Sequence, residues 1–142
     1  MQPLVTFAQA LADPTRIRIL HLVSAEALCV CELTDILDMP QSSVSSHLQI
    51  IRKAGLLASE RCEKWIYYRL EARYRSLLAT LGKFFALAPT TDATLKADAA
   101  AARRRLAERE QSCCPGPKLL RTRSPIKRPV RLRKDTRLTA LA

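Results

Sequence analysis

The sequence predicts a mostly α-helical fold with one small β-hairpin, and three observations carry that expectation. Apolar residues recur at helical spacing in four stretches between Leu4 and Ile51. A period-two stretch from Trp65 to Leu70 follows closely on a glycine. A further apolar helical stripe then runs from Ala72 to Phe85. A length of 142 residues leaves room for one domain and a tail.

Leu4, Phe7, Ala8 and Leu11 describe a short first helix. Asp13-Pro14 ends it and starts a second, because Asp13 can cap the new helix while Pro14 fits its first position. Ile17, Leu20 and Ser24, widened by Ile19, Leu22 and Val23, give that helix a buried arc. The pattern restarts at Cys29 and continues through Leu33, Ile36 and Leu37 as a third helix of two turns, which Pro40 ends. In the fourth helix, Gln41 to Lys53, the residues Val44, Leu48 and Ile51 share one face. At about 100° per residue the opposite face carries Ser42, Ser46, Gln49 and Lys53, with Ser45 beside it.

A short helix, a tight turn and a second helix with Ser, Gln and basic residues outward is the helix-turn-helix arrangement that enters a major groove. Gln pairs with adenine, Ser serves either kind of base, and Lys or Arg reaches phosphate or guanine. The candidate DNA contacts on this helix are Gln41, Ser42, Ser43, Ser45, Ser46, His47, Gln49 and Lys53. Gly55 suits a helix C-terminus. Leu56 to Arg61 and Trp65 to Leu70 then form a hairpin turning at Cys62-Glu63-Lys64, a wing that offers Arg61, Lys64, Tyr67 and Arg69 to DNA. Cys62 is expected as an exposed thiol at its tip.

The apolar stripe of Tyr74, Leu77, Leu78, Leu81, Phe84 and Phe85 is too broad for the short first helix to cover, which predicts a homodimer. Thr94 to Gln111 is a strong helix former with little apolar face, expected as an exposed extension. The organisation expected is a DNA-binding and dimerisation domain over 1–88, a helical extension over 89–114 ending in Cys113-Cys114, and a basic, disordered tail over 115–142.

The net charge of +11 points to a polyanionic partner, double-stranded DNA in this setting. Residues 115–142 hold nine Lys or Arg against Asp135 alone, so the part before them is only mildly basic. No apolar run is long enough to span a membrane, and no basic n-region precedes Asp13, so the expected location is the cytoplasm. Five cysteines there read as reduced thiols rather than a disulfide framework. No nucleophile–base pair, glycine-rich phosphate loop or carboxylate dyad points to an enzyme, and no organic cofactor is expected.

Residues 4–86 resemble the ArsR/SmtB family of winged-helix metalloregulatory repressors. The resemblance is carried by Ala10-Leu11-Ala12-Asp13-Pro14-Thr15-Arg16, Cys29-Val30-Cys31-Glu32-Leu33, Val44-Ser45-Ser46-His47-Leu48 with Ala54-Gly55-Leu56, and Trp65-Ile66-Tyr67-Tyr68-Arg69-Leu70. It implies a winged helix-turn-helix fold, and a homodimer formed through the first helix and the helix after the wing. Cys-Val-Cys is similar to the inducer site of the arsenite and antimonite sensors, and to part of the site in cadmium and lead sensors. This chain has Thr34 where arsenite sensors often carry a third cysteine, no glycine in the wing turn, and no histidine from Glu71 to Phe85, which disfavours a zinc site of the family type.

Thiolates are soft ligands, and trivalent arsenic or antimony would use three of them. The candidate ligands are Cys29, Cys31, Cys113 and Cys114, with As(III) or Sb(III) as inducer. On a regular helix, residues i and i+2 point about 200° apart, so chelation by Cys29 and Cys31 requires a non-helical first turn. The same repressor could answer Cd(II), Pb(II) or an oxidant that joins two thiols. A thiol-rich metalloid-buffering protein is the alternative of another class.

Overall fold

The computed structural model describes residues 1–111 and 115–120. Its elements are α1 (Gln2–Leu11), α2 (Pro14–Ala25), β1 (Leu28–Cys29), α3 (Val30–Leu37), α4 (Gln41–Lys53), β2 (Leu57–Cys62), β3 (Trp65–Leu70), α5 (Arg75–Phe84) and α6 (Ala93–Ala107). Short 3-10 turns precede α5 and follow α6.

Local chemistry accounts for the joints. The Asp13 carboxylate accepts the Arg16 backbone N–H at 2.9 Å and caps α2, with Pro14 at the first helical position. The Arg16 guanidinium reaches back to the carbonyls of Ala10 and Gln9, both at 2.9 Å, and so adds donors at the end of α1, where the Gln9 carbonyl also accepts the Ala12 N–H. At the end of α4 the φ of Gly55 is +72°, and the N–H groups of Gly55 and Leu56 close on the carbonyls of Arg52 and Ile51. The chain is thereby turned sharply into the sheet.

The core gathers Ile19, Leu20, Leu22 and Val23 of α2, Leu33, Ile36 and Leu37 of α3, and Val44, Leu48 and Ile51 of α4, closed below by Leu28, Leu56, Tyr68 and Leu70. The apolar faces read from periodicity in α3 and α4 are the buried ones, whereas in α2 the buried arc is Ile19, Leu20, Leu22 and Val23, with Ile17 and Ser24 only partly covered. The α3–α4 turn passes through Asp38, whose φ of 51° permits the reversal before Pro40.

The sheet differs from the expected lone hairpin. Three antiparallel strands lie in the order β1-β3-β2, with Leu28 opposite Tyr68 and Cys29 opposite Tyr67. Two residues are too few to show a period, so β1 left no mark in the sequence. Cys62 is not in the turn; it pairs with Trp65 and leaves Glu63-Lys64 as the connection, with Glu63 at a φ of 55° in place of a glycine. The alternation in β3 suggests a half-buried strand, but Tyr67, Tyr68, Arg69 and Leu70 are all buried, so both of its faces are covered there. Tyr68 and Leu70 face the helical core. The opposite face, with Cys29, Cys62 and Tyr67, is packed by Trp65 and by Leu120 from the C-terminal part of the chain.

That covering corrects two further expectations. The extension helix α6 is docked on α2 and α3, and it buries Leu95 and Asp98. Ala101, Ala102 and Leu106 pack against the core beside the buried Leu95, and ion pairs add to that contact. Arg18 meets Asp98 in a two-bond pair at 2.8 and 2.7 Å, and Arg105 meets Asp35 at 2.7 Å. Residues 115–120 are not the start of a free tail but lie against the sheet, where the Glu60 carboxylate of β2 accepts the backbone N–H groups of Lys118, Leu119 and Leu120.

Candidate thiol and DNA-reading site

Cys29 ends β1 and is the N-cap of α3, with φ −89° and ψ 170°, whereas Cys31 lies inside the first turn of α3. The pair therefore straddles a strand–helix junction, and the non-helical first position that shared coordination needs is present. Their surroundings differ sharply. Cys29 is 1% exposed and Cys31 is exposed.

Around Cys29 the structure builds a polar cluster. Glu32, three residues on and fully buried, accepts the Cys29 backbone N–H at 3.0 Å through Oε2 and forms the carboxylate half of a capping box. Arg109 meets the same carboxylate from the far end of the chain, Nε to Oε1 at 2.7 Å and Nη2 to Oε2 at 3.0 Å, while Nη2 also donates to the Ala27 carbonyl at 2.7 Å. Burial alone would lower the pKa of Arg109, but the Glu32 carboxylate outweighs it and raises it. The guanidinium also lies 5.6 Å from the centre of the Tyr67 ring.

Fit to a three-sulfur ion is partial among the described residues. Thr34 supplies no sulfur, and no three His, Cys, Asp or Glu side chains of the described residues converge on one point. Cys62 is buried on the same sheet face as Cys29. The register puts β3 between them, with Cys29 opposite Tyr67 and Cys62 opposite Trp65, so they lie two strand spacings apart, about 10 Å, and two residues out of step, too far to share one ion. Cys113 and Cys114 lie outside the described residues.

On α4, Gln41, Ser42, Ser46, Gln49 and Lys53 are exposed, and Ser43 and Ser45 are partly so. The Ser46 hydroxyl donates to the Ser42 carbonyl at 2.9 Å. His47 is turned toward the α2 cap, with Nδ1 3.7 Å from Asp13 Oδ1. The Arg16 N–H bond, more than the nearby His47, holds the Asp13 carboxyl below its ordinary range. At the wing tip, Arg61 and Lys64 are exposed; Arg61 donates to the Glu63 carbonyl at 3.2 Å, and Lys64 sits 4.6 Å over the Trp65 ring. Tyr67 corrects the sequence reading. It is fully buried and its hydroxyl accepts the Gly116 N–H at 2.8 Å, so it faces the chain's own C-terminal residues rather than a groove.

Three participants escaped the sequence reading: Glu32, Arg109 and Glu60. Glu32 left a signal, since a carboxylate three residues after an N-cap is the capping-box spacing. Arg109 and Glu60 left none, being charged residues with polar neighbours.

A protein-family model for bacterial regulatory proteins of the arsR family matches residues 13–59. An uncharacterised helix-turn-helix regulator of Methanocaldococcus jannaschii is 36% identical over 72 residues, which make up 49% of this chain and 81% of that protein. The chain belongs to the ArsR family. A second relative, an arsenic resistance transcriptional regulator of Pseudomonas putida, is 45% identical over 71 residues, 49% of this chain and 55% of its own length. The chain thus spans about half the length of that arsenic-resistance relative. Among solved structures, a homodimeric winged helix-turn-helix DNA-binding domain from Mycobacterium bovis superposes with a TM-score of 0.54 at 25% identity, covering 60% of this chain and 79% of that one. The winged helix-turn-helix fold and the family are thereby those the sequence predicts, and no described helix is long and apolar enough to cross a membrane.

Proposed function

We propose that this ArsR-family chain is a homodimeric transcriptional repressor of a metalloid-resistance operon, released from its operator when As(III) or Sb(III) is captured by Cys29 and Cys31. The observation that carries the reading is the place of Cys29: an N-cap outside helical geometry, one residue from Cys31, on the helix that leads directly into α4. Sulfur coordination there would pull the start of α3 out of its capping box and shift α4 in the groove. The Pseudomonas putida relative's name supports an arsenical as the inducer.

The DNA-reading set proposed is Gln41, Ser42, Ser43, Ser45, Ser46, His47, Gln49 and Lys53, with Arg61 and Lys64 from the wing. The third sulfur is assigned to Cys113 or Cys114. Supporting this, residues on both sides of that pair touch the surroundings of Cys29: Arg109 binds Glu32 and Gly116 binds Tyr67. Dimerisation is assigned to the apolar face of α1 and α5, where Leu4, Val5, Leu77 and Phe84 are exposed and Phe7 stacks on Tyr74 at 5.7 Å.

The deciding experiment is release of the chain from operator DNA on titration with As(III), Sb(III), Cd(II), Pb(II), Zn(II) and peroxide, repeated with single Cys→Ser variants. Release by As(III) or Sb(III), lost in Cys29→Ser and Cys31→Ser, is expected. Unchanged release in both variants would remove the thiol-sensing reading. Binding without sequence preference would favour a metalloid buffer.

A further inference from the structure

The sensing reading asks an inducer to reach Cys29, yet that thiol is shut inside the protein by the chain's own C-terminal residues. The cover is a built contact rather than a chance one. Glu60, on β2, accepts three successive backbone N–H groups, those of Lys118, Leu119 and Leu120, at 2.8, 2.9 and 2.8 Å. The Leu120 carbonyl accepts from Arg69 Nη1 at 2.6 Å, and the Gly116 N–H donates to the Tyr67 hydroxyl. Pro117 is fully buried, and the Leu120 side chain packs into the cluster that holds Cys29, Cys62 and Tyr67.

Gly116 shows how closely the segment is seated. Its φ is +84°, a conformation L side chains rarely adopt, and an added Cβ would lie 3.2 Å from Arg109 Cδ. The segment is therefore laid directly on the arginine that binds Glu32, and Glu32 in turn holds the Cys29 N–H. One continuous chain of contacts runs from the wing strand β2 through 115–120 and Arg109 to the thiol junction.

We propose that Arg109 and residues 115–120 form an intramolecular strap closed over Cys29, so that a soft electrophile or thiophilic ion reaches this thiol only when the strap has lifted from Glu60 and Tyr67. The strap sets the rate at which Cys29 is reached. Cys31, outside the covered face, is reached at any time. Because the same residues tie down β2 and β3, each lifting also frees the wing from three N–H-to-carboxylate bonds.

The inference rests on the proposed role of Cys29, but its test needs no inducer. The reduced full chain is pulsed with iodoacetamide, and modification of Cys29 and Cys31 is followed by peptide mass spectrometry. Cys29 is expected to react at least ~100-fold more slowly than Cys31, the range of a local opening equilibrium. Gly116→Ala and Glu60→Gln are each expected to raise the Cys29 rate ~10-fold or more while leaving the Cys31 rate unchanged. Far-UV circular dichroism confirms that each variant is folded, and Glu60→Gln, at a partly exposed strand position, stands in should Gly116→Ala fail to fold. Equal rates at the two thiols in the unmodified chain, or a Cys29 rate indifferent to Glu60→Gln, would overturn the strap. In operator-release kinetics the same variants should answer As(III) faster. If Cys29 labelling accelerates while arsenite releases none of the proteins from DNA, the strap stands and the sensing reading falls.

Discussion

Arg109 is the residue on which most depends. Glu32 has no solvent contact, and its charge is balanced by a guanidinium from 77 positions further along the chain. Removing the guanidinium leaves a buried carboxylate unpaired, which costs roughly 3–5 kcal/mol. Arg109→Gln should therefore lower the denaturant midpoint by an equivalent amount, and Glu32→Gln added to it should restore most of the loss, since two neutral amides can bond to each other. A double variant as unstable as Arg109→Gln alone would mean that the pair is not the source. At this scale the sequence was legible only where chemistry is local. Asp13, Pro14 and Gly55 announced their roles by their immediate neighbours. Tyr67 did not, because alternation along a strand says which residues share a face and nothing about what will be laid over it.

Among the elements, α2 to α4 were readable because each buries one side against the same core, so a 3.6-residue period is written into the sequence. The extension helix α6 was misread as exposed. It docks through a narrow apolar seam of Leu95, Ala101, Ala102 and Leu106, whose alanines blur the pattern, and through Asp98, Arg105 and the turn carrying Arg109, and ion pairs leave no period. The strap was missed for the same reason, since its bonds come mainly from backbone N–H groups that every residue possesses. It should also be sensitive to acid. Burial pushes the Glu60 carboxyl up, but the three N–H bonds and Lys118 outweigh it and leave its pKa below the ordinary value. A carboxyl depressed in the folded state gives stability that is complete above its unfolded pKa, about 4.3, and is lost as pH falls through the folded value. Trp65, the only tryptophan, packs against the same cluster as Leu120. Its emission should shift as pH drops below ~4, ahead of the far-UV signal, and Glu60→Gln should show the shifted emission already at pH 7. Coincident far-UV and tryptophan transitions in both proteins would separate Glu60 from the strap.

For the whole molecule, the winged helix-turn-helix was legible through its order of elements, whereas the closing of the chain on itself was not. The face of α1 and α5 leaves large apolar side chains in water, with Phe84 81% exposed. Leu77→Glu should convert a dimer into a monomer in sedimentation equilibrium. Operator affinity should fall by ~100-fold or more, since two linked half-site contacts become one. A monomeric unmodified chain at micromolar concentration would place the DNA-bound assembly elsewhere.

The long span between Cys29 and the residues that cover it has a consequence during synthesis. About 90 residues separate Cys29 from Leu120. The DNA-reading part is complete at Leu70, about 50 residues before Leu120, so at about 5–20 residues per second it can fold for roughly 2.5–10 seconds before its cover exists. With the proposed strap, a newborn chain passes through an interval in which this thiol is uncovered, and its reactivity toward electrophiles would be greatest in the youngest copies. Age since translation, as much as the concentration of an electrophile, would then set which molecules of the pool respond first.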